Sequence, residues 1–196
     1  MPYRLHDIDL REPLFEWVEA RLGKVRIIEE VQIGRARADA RRVTDAGLIG
    51  MEIKSDADTY ARLERQVPDY DRHFDANVVV IGSSHAQVAK HVPETWGIVV
   101  AGKPELGALP LSVVRPYQPS PRTSRARKLS LLWRPELAHI QVICGMPRYA
   151  QKSKAFVAKK ILETVPAEQL DQLIIDALFE RDYTTLADEI AAYRKR

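Results

Sequence analysis

Residues 37–54 read Arg37-Ala38-Asp39-Ala40-Arg41-Arg42-Val43-Thr44-Asp45-Ala46-Gly47-Leu48-Ile49-Gly50-Met51-Glu52-Ile53-Lys54, two strand-like runs joined by a turn at Asp45-Ala46-Gly47. Side chains on a strand alternate faces, so Glu52 and Lys54 share one face while Ile53 points into the other. If the two runs pair antiparallel, the Asp39 carboxylate can meet Glu52 across the ladder, where opposed side chains lie only ~5 Å apart. Two carboxylates that close repel unless a cation stands between them. A lysine beside a bound cation and its water is a useful catalytic group, so the hairpin carries a candidate metal-dependent site for cutting phosphodiesters.

Working outward, residues 25–33 also alternate with a period of two, and Gly34 ends that run. Three consecutive antiparallel strands therefore form a meander. Before it, residues 11–22 predict a helix with Pro13 in the first turn, Gly23 as its cap, and Leu14, Val18 and Leu22 as an apolar stripe. After it, Asp56 and Asp58 are candidate N-caps for a helix that includes Tyr60, Leu63, Val67 and Tyr70. The unbroken apolar run at 78–81 fits a fully buried strand. Gly82-Ser83-Ser84 opens a short helix reaching His91, and further strands are expected at 96–100 and 111–114. Residues 116–125, rich in proline and serine, form an exposed loop, and beyond it helices are expected over 127–142, 151–164, 167–180 and 184–193. The fold class is α/β, a mixed sheet of α+β type. The predicted organisation is a core over 1–115, a linker or basic loop over 116–126, and a helical region over 127–196.

Bulk properties exclude some classes of function. Cys144 is the only cysteine, so neither an intrachain disulfide nor a thiolate zinc cluster can form, and a reducing cytoplasm is the expected compartment. No run of ~18 apolar residues exists to span a bilayer, so no membrane partner is expected. The histidines lack metal-ligand spacing (His85 and His91 are six apart), and neither a Walker loop nor a nucleophile elbow is present. A net charge of +3 is weak evidence for nucleic acid, but its distribution matters more. Arg35 and Arg37 bracket the hairpin site, and Arg122, Arg125, Arg127 and Lys128 crowd a loop running into a helix start. Guanidinium forks match phosphate oxygens, so both groups are candidate nucleic-acid contacts.

The ordered set Asp39, Glu52-x-Lys54 and Gln66-x-x-x-Tyr70, on strand, strand and helix, resembles the PD-(D/E)XK nuclease superfamily. The Gln-x-x-x-Tyr element is similar to the branch with RecB-type, Cas4-type and lambda-exonuclease-type nucleases. The run from Glu52 to Thr59, with the helical tail, also resembles a small bacterial group within that superfamily. The likeness covers residues 10–101 and implies a restriction-endonuclease-like αβββαβ core with a C-terminal helical extension. Ala38 stands where that family often has proline, and Pro68 interrupts the helix between Gln66 and Tyr70.

The resemblance implies a divalent cation, Mg²⁺ or Mn²⁺, on Asp39, Glu52 and the Ile53 carbonyl. It also implies a first-helix acid, for which Glu12 and Glu16 are the candidates, with Glu30 on the first strand a third. Lys54 would position the attacking water, and Gln66 and Tyr70 would orient the site. The implied activity is hydrolysis of nucleic acid, DNA rather than RNA. The competing expectation is a catalytically silent nucleic-acid-binding or scaffold subunit on the same fold. A third places function in the tail, where Leu170, Leu173, Ile174 and Leu178 would dock a second copy or a partner protein.

Overall fold

The computed structural model describes residues 4–22, 25–44, 47–82, 87–105 and 108–181. Its elements run α1 (Asp7–Leu22), β1 (Arg26–Ile33), β2 (Ala36–Thr44), β3 (Gly47–Lys54), α2 (Leu63–His73), β4 (Ala76–Ile81), a 3₁₀ turn (Val88–Lys90), β5 (Gly97–Ala101) and β6 (Leu111–Arg115). Helices α3 (Arg125–Ser130), α4 (Arg134–Ile143), α5 (Lys154–Thr164) and α6 (Ala167–Phe179) follow. The six strands lie in chain order in one sheet. The meander β1–β2–β3 is antiparallel, β3–β4 and β4–β5 are parallel, and β6 returns antiparallel. The mixed α/β class is as the sequence predicts. Gly34 turns the chain between β1 and β2 at φ +55°, a conformation glycine adopts without a Cβ penalty.

Strand β4 (Ala-Asn-Val-Val-Val-Ile) is buried throughout, which explains why it reads as an apolar run rather than an alternation. On one sheet face Leu48, Val79, Ile81 and Ile98 pack with Tyr70 and Phe74 of α2 and with Leu129, Leu137, Ile161 and Leu178 of the later helices. On the other, Met51, Ile53, Val78, Val80 and Val99 meet Leu10, Leu14 and Val18 of α1. Helices α3–α6 thus share a hydrophobic core with the sheet. Of the stripe expected to dock a partner, Leu170, Ile174 and Leu178 are buried in that core instead, and Leu173 packs half-buried against it.

Several boundaries differ from expectation for identifiable reasons. Helix α1 begins at Asp7, four residues early, because the Asp9 carboxylate reaches back to accept the His6 N–H at 2.8 Å. Pro13 is therefore inside the helix rather than in its first turn. Helix α2 starts at Leu63 and excludes Tyr60. Asp56 and Asp58 cap no helix: Asp56 accepts the Leu5 N–H at 2.9 Å, and Asp58 accepts the Ser55 N–H at 2.9 Å and its hydroxyl at 2.7 Å. The single helix expected over 127–142 is two, since Pro135 suits only a first turn and the Glu136 carboxylate accepts the Trp133 N–H at 2.6 Å to start α4 afresh. The turn at Asp45-Ala46, the Ser83-Ser84 segment and the expected last helix over 184–193 lie outside the described residues. Among the described residues, no helix is long and apolar enough to cross a membrane.

Candidate functional site

The pleat of β3 sends Met51 and Ile53 toward α1, and Glu52 and Lys54 toward α2. Ala40 pairs with Met51, so one further step along the register sets Asp39 opposite Glu52. The ladder ends there, and the Ile53 N–H donates to Asp39 Oδ2 at 2.9 Å instead of to a strand carbonyl. The Asp39 N–H in turn donates to the Tyr70 hydroxyl oxygen at 3.3 Å. The carboxylate of Asp39 thus closes the opening between β2 and β3.

Glu52 has no solvent exposure, and Lys54 is only 7 % exposed. Lys54 Nζ donates to Glu52 Oε1 at 2.5 Å. The Tyr70 hydroxyl and Gln66 Nε2 donate to Oε2, the latter at 3.3 Å. A carboxylate removed from water costs several kcal/mol unless such donors replace the lost hydration. Helix α2 runs through Pro68, so Gln66 and Tyr70, four residues apart, both reach the same oxygen. Tyr70 is itself packed against Phe74 and Trp96, with ring centroids 5.5 and 5.2 Å away. Gln66 Oε1 is buried without a partner.

Above these groups opens a cleft of about 1030 Å³, lined by Asp39, Glu52, Ile53, Lys54 and Gln66. Arg35 and Arg37 line it, and Arg62 and Arg65 of the α2 approach add two cations that sequence reasoning missed. Asp69 of α2 holds the rim by accepting the Arg35 N–H at 3.0 Å. The first-helix acid needs correcting. Glu12 and Glu16 are exposed and do not line the cleft, whereas Asp7 does. Asp7 accepts from Arg11 Nε at 2.5 Å, while the same guanidinium donates to Glu29 at 2.8 Å and Glu30 at 3.0 Å. Glu30, at φ +53° within β1, also pairs with Arg37 at 2.6 Å. The i, i+4 spacing of Asp7 and Arg11 was the available signal for a first-helix carboxylate at this rim.

The second basic group does not join the cleft. Lys128 is buried, 2.9 Å from Asp75 and 2.8 Å from Asp171, and Arg125 pairs with Asp171 at 2.8 Å. Both tie α3 to its neighbours. Arg122 and Arg127 are exposed and line no part of the cleft.

Burial, reinforced by the nearby Glu52 charge, pushes the Asp39 carboxyl up from its ordinary 3.8 to about 7. Burial and the charges of Glu52 and Asp39 likewise raise the Tyr70 hydroxyl well above its usual value, so it donates and does not ionise. Two carboxylates held together with little water around them are an environment that a divalent cation would relieve. The donors on hand are hard oxygens, from Asp39, Glu52 and the Ile53 carbonyl. Among the described residues, no cluster of three or more histidine, cysteine or acidic side chains could hold an ion. Two carboxylates suit an ion that keeps several of its waters.

A family model described as bacteriophage P4 protein cII matches residues 9–194. The chain belongs to that family. The match spans all six strands and helices α2–α6, and begins just after His6, Asp7 and Ile8 at the edge of the cleft. No curated protein matches it. Among solved structures, the SPO1766 protein of unknown function from Silicibacter pomeroyi is similar at 18 % identity and a TM-score of 0.44, over 69 % of this chain and 86 % of that one. The SfsA of Pyrococcus furiosus, solved in complex with Ca²⁺, is similar at 12 % identity and a TM-score of 0.34, over 60 % and 63 %. Both likenesses are too distant to carry a functional argument.

Proposed function

We propose that this member of the P4 cII family is a divalent-metal-dependent nuclease of the PD-(D/E)XK type, hydrolysing DNA in the cleft between α1, β2, β3 and α2. The observation that carries the reading is the pair of half-buried Asp39 and fully buried Glu52, set opposite each other, with Lys54, Gln66 and Tyr70 all converging on Glu52. Asp39, Glu52 and the Ile53 carbonyl would hold Mg²⁺ or Mn²⁺. When bound, the ion would polarise the scissile phosphate and lower the pKa of an attacking water. Lys54, a compact cation on a flexible stem, would move from Glu52 to that water or to the developing charge on phosphate. Gln66 and Tyr70 would keep Glu52 oriented, and the unpartnered Gln66 Oε1 has an acceptor to offer a water. Arg35, Arg37, Arg62 and Arg65 would hold flanking phosphates.

The test is cleavage of plasmid and linear DNA by purified protein with Mg²⁺ or Mn²⁺. Glu52→Gln and Lys54→Met should each lower the rate by at least about 10²-fold. A rate unchanged in both variants would attribute any cleavage to contamination and end the proposal. A second reading, a silent nucleic-acid-binding subunit, is favoured by one feature: Lys54 pairs directly with the buried Glu52 at 2.5 Å. Retained DNA binding with no cleavage under any divalent ion would select it.

A further inference from the structure

The sheet face opposite the cleft carries a second cavity, of about 470 Å³, between α1 and the strands β4–β6. Helix α1 covers only part of this face, so Val80 and Val99 form an apolar floor and Trp17 a wall. Three arginines, Arg21, Arg42 and Arg115, line the same space, and among the described residues no acidic side chain does. None of the three forms a salt bridge among the described residues. Arg115 donates to the carbonyls of Trp96 at 2.7 Å and Pro93 at 2.9 Å, and Arg21 lies 4.4 Å above the Trp17 ring. Arg42 is the most constrained. Only 7 % exposed, it donates Nη2 to the Tyr117 hydroxyl at 3.1 Å, while its Nε is buried with no partner.

A nearly buried guanidinium without a counter-anion is costly, and a donor left unpaired adds to that cost. The cavity volume falls in the range of small-molecule sites, which are mostly apolar with a few placed polar groups. We infer that this cavity binds a small amphipathic organic anion, a carboxylate on an apolar chain or ring, with its apolar body on Val80, Val99 and Trp17 and its carboxylate on Arg42 and Arg115. Charge complementarity selects the anion, because a carboxylate accepts from guanidinium forks and would satisfy the idle Arg42 Nε. The site is independent of the nuclease reading, lying across the sheet from Asp39 and Glu52.

Decanoate is a suitable probe, with decanol as its uncharged counterpart, followed by isothermal titration and by Trp17 fluorescence in the full chain. Decanoate should bind saturably at one per chain, at least tenfold more tightly than decanol. Arg42→Met should weaken it at least tenfold, and the exposed Arg21→Gln should weaken it less while leaving the fold untouched. Val113→Trp, at the open rim, should block it. Absence of saturable binding would overturn the inference, as would equal affinity for decanol and decanoate or affinity unchanged in both arginine variants. So would a dimer in solution that Val113→Lys dissociates, because a second copy would then be the natural cover of this face.

Discussion

The two faces of the sheet handle buried charge in opposite ways. On the α2 face, Glu52 has every oxygen occupied and its lysine beside it, so the charges are closed into a network. On the α1 face, Arg42 is nearly as withdrawn from water, yet its Nε has no partner, and among the described residues no carboxylate lines its cavity. Both sets of groups issue from the same two strands: Asp39 and Arg42 from β2, Glu52 and Met51 from β3. The contrast teaches that burial alone does not mark a site. The α2 face holds an excess of carboxylate that a cation would relieve, and the α1 face an excess of guanidinium that an anion would relieve.

Breaking the closed network should have the largest effect. Lys54→Met leaves Glu52 buried without its cation and should cost about 3–5 kcal/mol in urea unfolding, with Lys54→Met/Glu52→Gln recovering part of that loss. Arg42→Met, which removes an uncompensated charge on the other face, should be neutral or stabilising in the same experiment. If both substitutions destabilised equally, the contrast between the faces would collapse.

The next effect concerns the packing that holds the network. A Cβ on Gly50 would stand 2.3 Å from Phe74 and 2.7 Å from Tyr70, so Gly50→Ala must displace α2. The expected cost is about 1–3 kcal/mol in thermal or urea unfolding, together with lost cleavage as Tyr70 and Gln66 leave Glu52.

Titration sharpens the same comparison. Because the folded-state Asp39 pKa is raised from 3.8 to about 7, the native metal-free protein holds a proton that the unfolded chain releases. Its stability contribution should be fully present below about pH 4, fall as pH rises to about 7, and then level off. Asp39→Asn should remove that slope from a pH series of unfolding curves, whereas Arg42→Met should leave it intact.

The smallest effect separates the two basic clusters by salt dependence. Arg37→Gln should reduce the slope of DNA affinity against salt by about one unit. Arg125→Gln should leave that slope alone and cost at most about 1 kcal/mol of stability, because its pair with Asp171 is half exposed. Affinity measured by fluorescence anisotropy at several salt concentrations tests both.

How much of this could be read in the chain depends on the range of the interaction. The pairing of Asp39 with Glu52 was legible because strand alternation and a hairpin are local rules. Gln66 and Tyr70 were legible as an i, i+4 pair, although Pro68 argued against the helix that unites them. The start of α1 was not, since it depends on Asp9 turning back to His6, and with it went the difference between Asp7 and the exposed Glu12 and Glu16. Nor was the fate of Lys128, whose partners Asp75 and Asp171 lie far away in sequence and reach it only once α3 packs against α6 and the sheet. A lysine in a basic run reads as solvated unless those distant acids are known. The unpaired state of Arg42 was equally hidden, because an absence of partners is a property of the folded surroundings.

The most direct test of the Asp39–Glu52 pair as a cation site is calorimetric titration of the purified protein with Mn²⁺ at neutral pH. The account predicts saturable binding at one site, accompanied by proton release as Asp39 ionises, and loss of both in Asp39→Asn. No binding, or binding of unchanged strength in Asp39→Asn, would contradict it.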